Sequence, residues 1–161
     1  MEAPKQIRPK GPGDYLEVMT KAVFQSGISW RVIESKWNGF REALHGFDAE
    51  RIGDLTPPEL DELSEDTRIV RNRRKIEATV HNARTMLDLE KEHGSFRKYL
   101  RSHGGFEETV ADLRRRFKFL GDTGAYYFLY VVGEEVPPHE EWMRTHGSGA
   151  RSRGRARTGS R

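Results

Sequence analysis

Residues 112–132 read D-L-R-R-R-F-K-F-L-G-D-T-G-A-Y-Y-F-L-Y-V-V: a basic amphipathic stretch, a short turn with two glycines, and an aromatic run at helical spacing. That order predicts a helix-hairpin-helix. In such an element the backbone N–H groups of Gly121, Asp122, Thr123 and Gly124, helped by the positive end of the following helix, converge on a phosphate. Glycine removes the Cβ that would hold the anion away. A contact of this kind reads no base, so it points to nucleic acid in general. An ordinary helix-loop-helix corner carries the same short glycine pattern, and the turn alone does not separate the two.

Outward from this stretch, helical period recurs and strand alternation is nearly absent, which predicts an all-α chain of some eight short helices. Asp14 and Glu17 form an N-cap and N3 pair for a first helix that Gly27 ends. Ser29 caps a second, along which Ile33, Trp37, Phe40 and Leu44 repeat. Thr56-Pro57-Pro58-Glu59 is a helix start with Thr as cap, Pro in the first turn and Glu three residues on. The longest helix is expected from about Asn72 to Glu92, on the stripe Ile76, Val80, Ala83 and Leu87, with Gly94 as its stop. Residues 95–102 read as a short helix and 106–117 as the first arm of the hairpin.

The chain of 161 residues is 33% charged and 35% hydrophobic, as suits one soluble domain with its own core. No apolar run approaches the roughly 20 residues of a membrane span, and the N-terminus has no apolar signal core, so a cytoplasmic protein without membrane contact is expected. With no cysteine, disulfides and thiolate metal sites are excluded together. Residues 1–143 carry 22 Lys and Arg against 25 Asp and Glu, whereas 144–161 carry six Arg and no acid. The expected organisation is therefore a flexible N-terminus over 1–13, one domain over 14–143, and a disordered Arg/Gly-rich tail over 144–161. Its arginines could hold polyanions through counterion release, or it could be an extension with no role.

Two further constellations stand out. Phe24-Gln25-Ser26-Gly27-Ile28-Ser29-Trp30 is a turn with an aliphatic tip and a large aromatic, suited to wedging into a base stack and facing an extruded base. Core packing is the alternative for Trp30. In residues 69–84, I-V-R-N-R-R-K-I-E-A-T-V-H-N-A-R, four cations crowd a helix start against the helix dipole, so phosphate contact by Arg71, Arg73 and Lys75 would explain them. A solvated, salt-bridged face is the commoner meaning of such a run.

Read in order, G-I-S-W, W-N-G-F-R-E-A-L-H-G-F-D, I-V-R-N-R-R-K-I-E-A-T-V-H-N-A-R and F-K-F-L-G-D-T-G-A-Y-Y-F resemble the DNA-3-methyladenine glycosylase I family of the helix-hairpin-helix superfamily. The likeness spans roughly residues 14–143. It implies a two-lobed helical fold with a DNA-facing cleft, and an enzyme of base excision repair that flips out an alkylated base and hydrolyses its N-glycosidic bond. By the same resemblance Trp30 and Tyr126 fall at or beside the base pocket, Gly27 and Ile28 at the intercalating tip, and Lys118 with Gly121, Asp122, Thr123 and Gly124 at the DNA backbone.

The departures bear on chemistry. The family's pocket glutamate falls on Ala22, which cannot accept a hydrogen bond from a base. The aromatic N-terminal segment that supplies pocket walls and two zinc ligands has no counterpart, and only His139 matches the four ligands, with Met143 where another should be. No structural zinc or other cofactor is expected. Glu134, Glu135, Glu140 and Glu141 surround the segment where superfamily relatives carry a catalytic Asp, and Pro137 takes that position. A solvated acidic loop is the plainer reading of these glutamates, with Trp142 packed rather than stacked on a base. The expected partner is double-stranded DNA and the expected state a monomer. The alternative is a helix-hairpin-helix module that has lost catalysis and binds DNA non-specifically or at lesions; a protein–protein adaptor that kept only the fold is the third option.

Overall fold

The computed structural model describes residues 3–146, and all regular structure among them is helical. In chain order the helices are α1 (Pro12–Gln25), α2 (Trp30–Ala43), α3 (Ala49–Gly53), α4 (Pro57–Ser64), α5 (Arg73–His93), α6 (Phe96–Leu100), α7 (Phe106–Arg116), α8 (Asp122–Val131) and α9 (His139–His146), with a short 3₁₀ turn at His45–Phe47 before α3.

Local chemistry sets most of these boundaries. Ser29 caps α2 by accepting from the Arg31 N–H, Asn72 caps α5 by accepting from that of Lys75, and Ser95 caps α6 from that of Lys98. Thr56 and Glu59 form a reciprocal capping box at α4. α1 starts three residues earlier than the Asp14 signal suggests, because its cap is Gly11, Pro12 opens its first turn, and the Asp14 carboxylate reaches back to the Lys10 N–H at 2.8 Å.

α1 and α5 form the centre. α3, α4 and α6 pack on α5, α2 and α8 pack on α1, and α7 packs on α8. Two groups of helices, α2–α4 and α6–α8, thus meet through the α1–α5 pair, the two-lobed arrangement that the resemblance implies. The core carries Leu16, Met19, Val23, Phe24, Ile33, Phe40, Ile76, Met86 and Phe128, all fully buried. In one group Trp37 stacks between Phe40 and Phe47 at centroid distances of 4.7 and 5.4 Å, and its indole N–H donates to Glu17 at 2.8 Å.

Two boundaries differ from expectation. The N-terminal segment is docked, since Ile7 N–H donates to the Val131 carbonyl at 2.8 Å and the Gln6 amide to that of Tyr130 at 2.9 Å. These bonds cover carbonyls at the end of α8 that the helix cannot satisfy itself. The tail expected from residue 144 begins inside α9, and its remainder, 147–161, lies outside the described residues.

Candidate nucleic-acid interface

The hairpin is built differently from a glycine turn. Gly121 is the N-cap of α8, and Asp122, Thr123 and Gly124 are already its first helical residues. The left-handed residue of the connection is Phe119, at φ 59°, whereas Gly121 has φ −93°. No side chain caps α8, because its N-cap is Gly121, and the Asp122 carboxylate beside it is engaged by Arg114 at 2.8 Å, so the first N–H groups of the helix have no side-chain partner. A Cβ on Gly121 would project into open space; one on Gly124 would meet Leu120 at 3.2 Å and the Ala22 side chain at 3.7 Å. Gly124 is therefore a close-packing residue between α8 and α1.

The long helix α5 fixes this connection. The Asn82 side chain, 1% exposed, brackets the Lys118 backbone: its amide donates to the Lys118 carbonyl at 3.2 Å and its carbonyl accepts from the Lys118 N–H at 2.9 Å. His81 contacts the Arg116 carbonyl at 3.1 Å through Nε2. One turn from the start of the same helix, Lys75 is only 5% exposed, and its ammonium donates to the carbonyls of Ser26 at 2.5 Å and Phe24 at 3.4 Å. A cation at the end of α1 satisfies orphan carbonyls and complements the helix dipole, while burial pushes its pKa below the ordinary lysine value. Arg84 donates to the Gly53 carbonyl at the end of α3 at 2.6 Å. Lys75, Asn82 and Arg84 of the 69–84 motif are thus clamps, and His81 adds a fourth contact.

This changes the reading of the basic run. Lys75 is turned inward and is not available to a phosphate, because the end of α1 takes its ammonium. Arg73 is engaged by Asp61 at 2.5 Å and Glu77 at 3.1 Å. Arg71 is exposed, as are Arg74 and Lys118, and among the described residues no carboxylate pairs with these three. Arg74, absent from the candidates named from sequence, lies 5.7 Å from the Phe119 ring centroid.

The tip loop follows from α1 ending at Gln25. Gly27 takes φ 79°, a turn that favours glycine, and the Ile28 N–H closes on the Gln25 carbonyl at 3.1 Å. Ile28 is half-buried against the core, and the aromatic beside it is the exposed one: Trp30 is 51% exposed, with Val32 also exposed. Core packing is thereby excluded for Trp30. Glu34, one helical turn further on α2, ion-pairs with Lys21 at 3.0 Å.

Ala22, Trp30 and Tyr126 do not line one open pocket. Ala22 is buried at the α1–α8 contact. Tyr126 is closed off by the stacked ring of Trp142, 4.3 Å away and 12° from parallel, and its hydroxyl donates to the Pro137 carbonyl at 2.7 Å. Burial raises its pKa. Two concave surfaces lie elsewhere. One, of about 650 Å³, runs between the tip loop and the hairpin, walled by Ser26, Arg114, Arg115, Phe119 and Gly121. The other, of about 430 Å³, is lined by Arg74, Glu77, Ala78, Lys118 and Phe119.

The acidic segment near Pro137 offers no evident base. Glu134 pairs with Arg101 at 3.0 Å and is largely covered, and Glu135, Glu140 and Glu141 are exposed. The donor set does not fit the zinc implied by the resemblance: His139 lies against the rings of Tyr126 and Tyr130, and no group of three ligating side chains occurs among the described residues.

A family model described as methyladenine glycosylase matches residues 10–116. The DNA-3-methyladenine glycosylase of Haemophilus influenzae is 31% identical over 130 residues, covering 68% of this chain and 70% of the relative. DNA-3-methyladenine glycosylase 1 of Escherichia coli is 26% identical over the same shares. The solved 3-methyladenine DNA glycosylase I of Staphylococcus aureus superposes with a TM-score of 0.70 at 25% identity, over 80% of each chain.

Proposed function

The chain belongs to the methyladenine glycosylase family, and from that premise we propose that it is a DNA N-glycosylase of base excision repair that releases 3-methyladenine or a related cationic base from duplex DNA. The observation that carries this reading is the groove shared by Ser26 and Gly121. It joins the tip loop that leads into Trp30 to the hairpin that starts α8, with Arg114 and Arg115 on its wall.

The roles follow from the chemistry of each part. A phosphate sits on the uncapped N-terminus of α8, with Gly121 leaving room and Lys118 adding charge. Arg71 and Arg74 neutralise neighbouring phosphates. The Gly27–Ile28 tip abuts the base stack with the uncovered part of Ile28, and the exposed face of Trp30 receives the extruded base. A methylated adenine is cationic, so Trp30 also attracts it through the ring quadrupole. The carboxylate available beside Trp30 is Glu34, one turn along α2, where its charge is shared with Lys21.

A cationic base leaves as a neutral molecule, which makes acid catalysis dispensable. The sugar develops positive charge at C1′, water adds there, and its proton passes to solvent. Holding the base and the strand in register supplies the main advantage, so the alanine at position 22 is compatible with turnover. An intracellular, monomeric protein that associates with the chromosome while bound completes the reading.

Trp30→Ala tests the assignment. Loss of base stacking, on the order of 1–3 kcal/mol, slows release of methylated base about tenfold or more while affinity for undamaged duplex stays within twofold. Unchanged release by Trp30→Ala overturns the stacking role.

A further inference from the structure

Among the described residues three side chains other than glycine take left-handed backbone, His45, Phe47 and Phe119. For a phenylalanine this conformation costs free energy, so it persists where something offsets it. At Phe47 the offset is visible: the ring is fully buried and stacks on Trp37 at 5.4 Å. Phe119 has no such reward. It is 42% exposed, and the one ring contact it makes is with the Arg74 guanidinium.

Its outward direction is enforced. Phe117 and Leu120 on either side are buried, and Asn82 holds the Lys118 backbone from both its N–H and its carbonyl. Lys118 and Phe119 therefore stand out from a fixed base. Phe119 forms the ridge between the two concave surfaces, with Arg74 and Lys118 on one side and Arg114 and Arg115 on the other. An exposed apolar ring amid cations fits a polyanion that also presents apolar faces.

We propose that Phe119 is a DNA-contacting residue: its ring packs against the deoxyribose or base face of the strand whose phosphate lies on the N-terminus of α8. This rests on the reading that DNA occupies this face, but not on base release. The ring would tolerate any base, since every base has a π-face, and would set the height and angle of the strand over the groove. The strained backbone at Phe119 is then retained for binding rather than for folding.

Phe119→Gly separates the two roles, because glycine takes φ 59° without strain. The proposal expects a melting temperature equal to or above that of the parent, with duplex DNA binding weakened about tenfold at fixed salt. The salt dependence of binding should be unchanged, since no phosphate contact is lost, whereas Lys118→Ala should reduce that slope by about one. Phe119→Trp should keep the parental affinity. Unchanged affinity in Phe119→Gly, or weakened affinity in Phe119→Trp with an intact fold, overturns the proposal. Base release by the parent on methylated duplex is scored separately. Binding that depends on Phe119 without any release would refute the enzyme alone, and release with a Phe119-independent affinity would refute this inference alone.

Discussion

Replacing Asn82 by leucine removes two hydrogen bonds without opening a cavity, because the side chains are close in volume. Both bonds go to the Lys118 backbone, at 2.9 and 3.2 Å, and Asn82 is buried. Each is worth about 1 kcal/mol net, and stranding a buried polar partner adds up to the same again or more. Lys118 is exposed, so its backbone groups can partly rehydrate, and the total falls at about 2–3 kcal/mol. At roughly 2–4 °C per kcal/mol for a chain of this size, Asn82→Leu should melt about 4–12 °C lower. Calorimetry or thermal circular dichroism reads this directly. Because Lys118 and Phe119 hang from the same clamp, DNA affinity well below the new melting temperature should fall as well, by more than threefold. A melting temperature within 2 °C of the parent, together with unchanged affinity, would refute the clamp.

Lys75→Met keeps the stem volume and removes the ammonium that satisfies the Phe24 and Ser26 carbonyls; it should destabilise the fold by about 1.5–3 kcal/mol and slow base release further by loosening the tip loop. A more stable variant would mean that the cost of burying the charge dominates instead. Asp112 gives a pH prediction. Burial alone would raise its pKa, but hydrogen bonds from Tyr99, His103, Arg116 and Arg115 outweigh this and hold the carboxyl well below the ordinary range. A carboxyl with a lowered folded pKa contributes stability above its unfolded value, near 4, and loses it as pH falls toward the folded value. The stability gap between the parent and Asp112→Asn should therefore be widest above pH 5 and narrow below about pH 4; melts at pH 7, 5 and 3.5 that show a constant gap would contradict this.

What the chain makes legible is whatever depends on near neighbours. Ser29 and Thr56 cap the helices their positions announce, and Asn72 and Ser95, read as helix starts, are the caps of theirs, since each cap acts within three residues. The clamps are illegible for the opposite reason. The partners of Lys75 lie 49 and 51 residues away, those of Asn82 36 and that of Arg84 31, so a motif of three clamps reads as a basic DNA-facing run. Trp30 sits one helical step before Ile33 on the apolar stripe of α2, which suggests burial, yet in the first turn it stays half exposed. Tyr126 shows the converse: an expected pocket wall is covered by Trp142, a pairing across a proline-rich loop. Phe119 was missed, although buried Phe117 and Leu120, three residues apart, already leave the two residues between them to face outward.

Base release separates an enzyme from a relative that only holds DNA. Purified protein in excess over duplex DNA carrying methylated adenines, followed by chromatography of the freed bases in a single turnover, should yield free 3-methyladenine and leave abasic sites in stoichiometric number. Clear binding of the same duplex, with no free base above the spontaneous rate, would contradict the enzyme and leave a family member that only holds DNA.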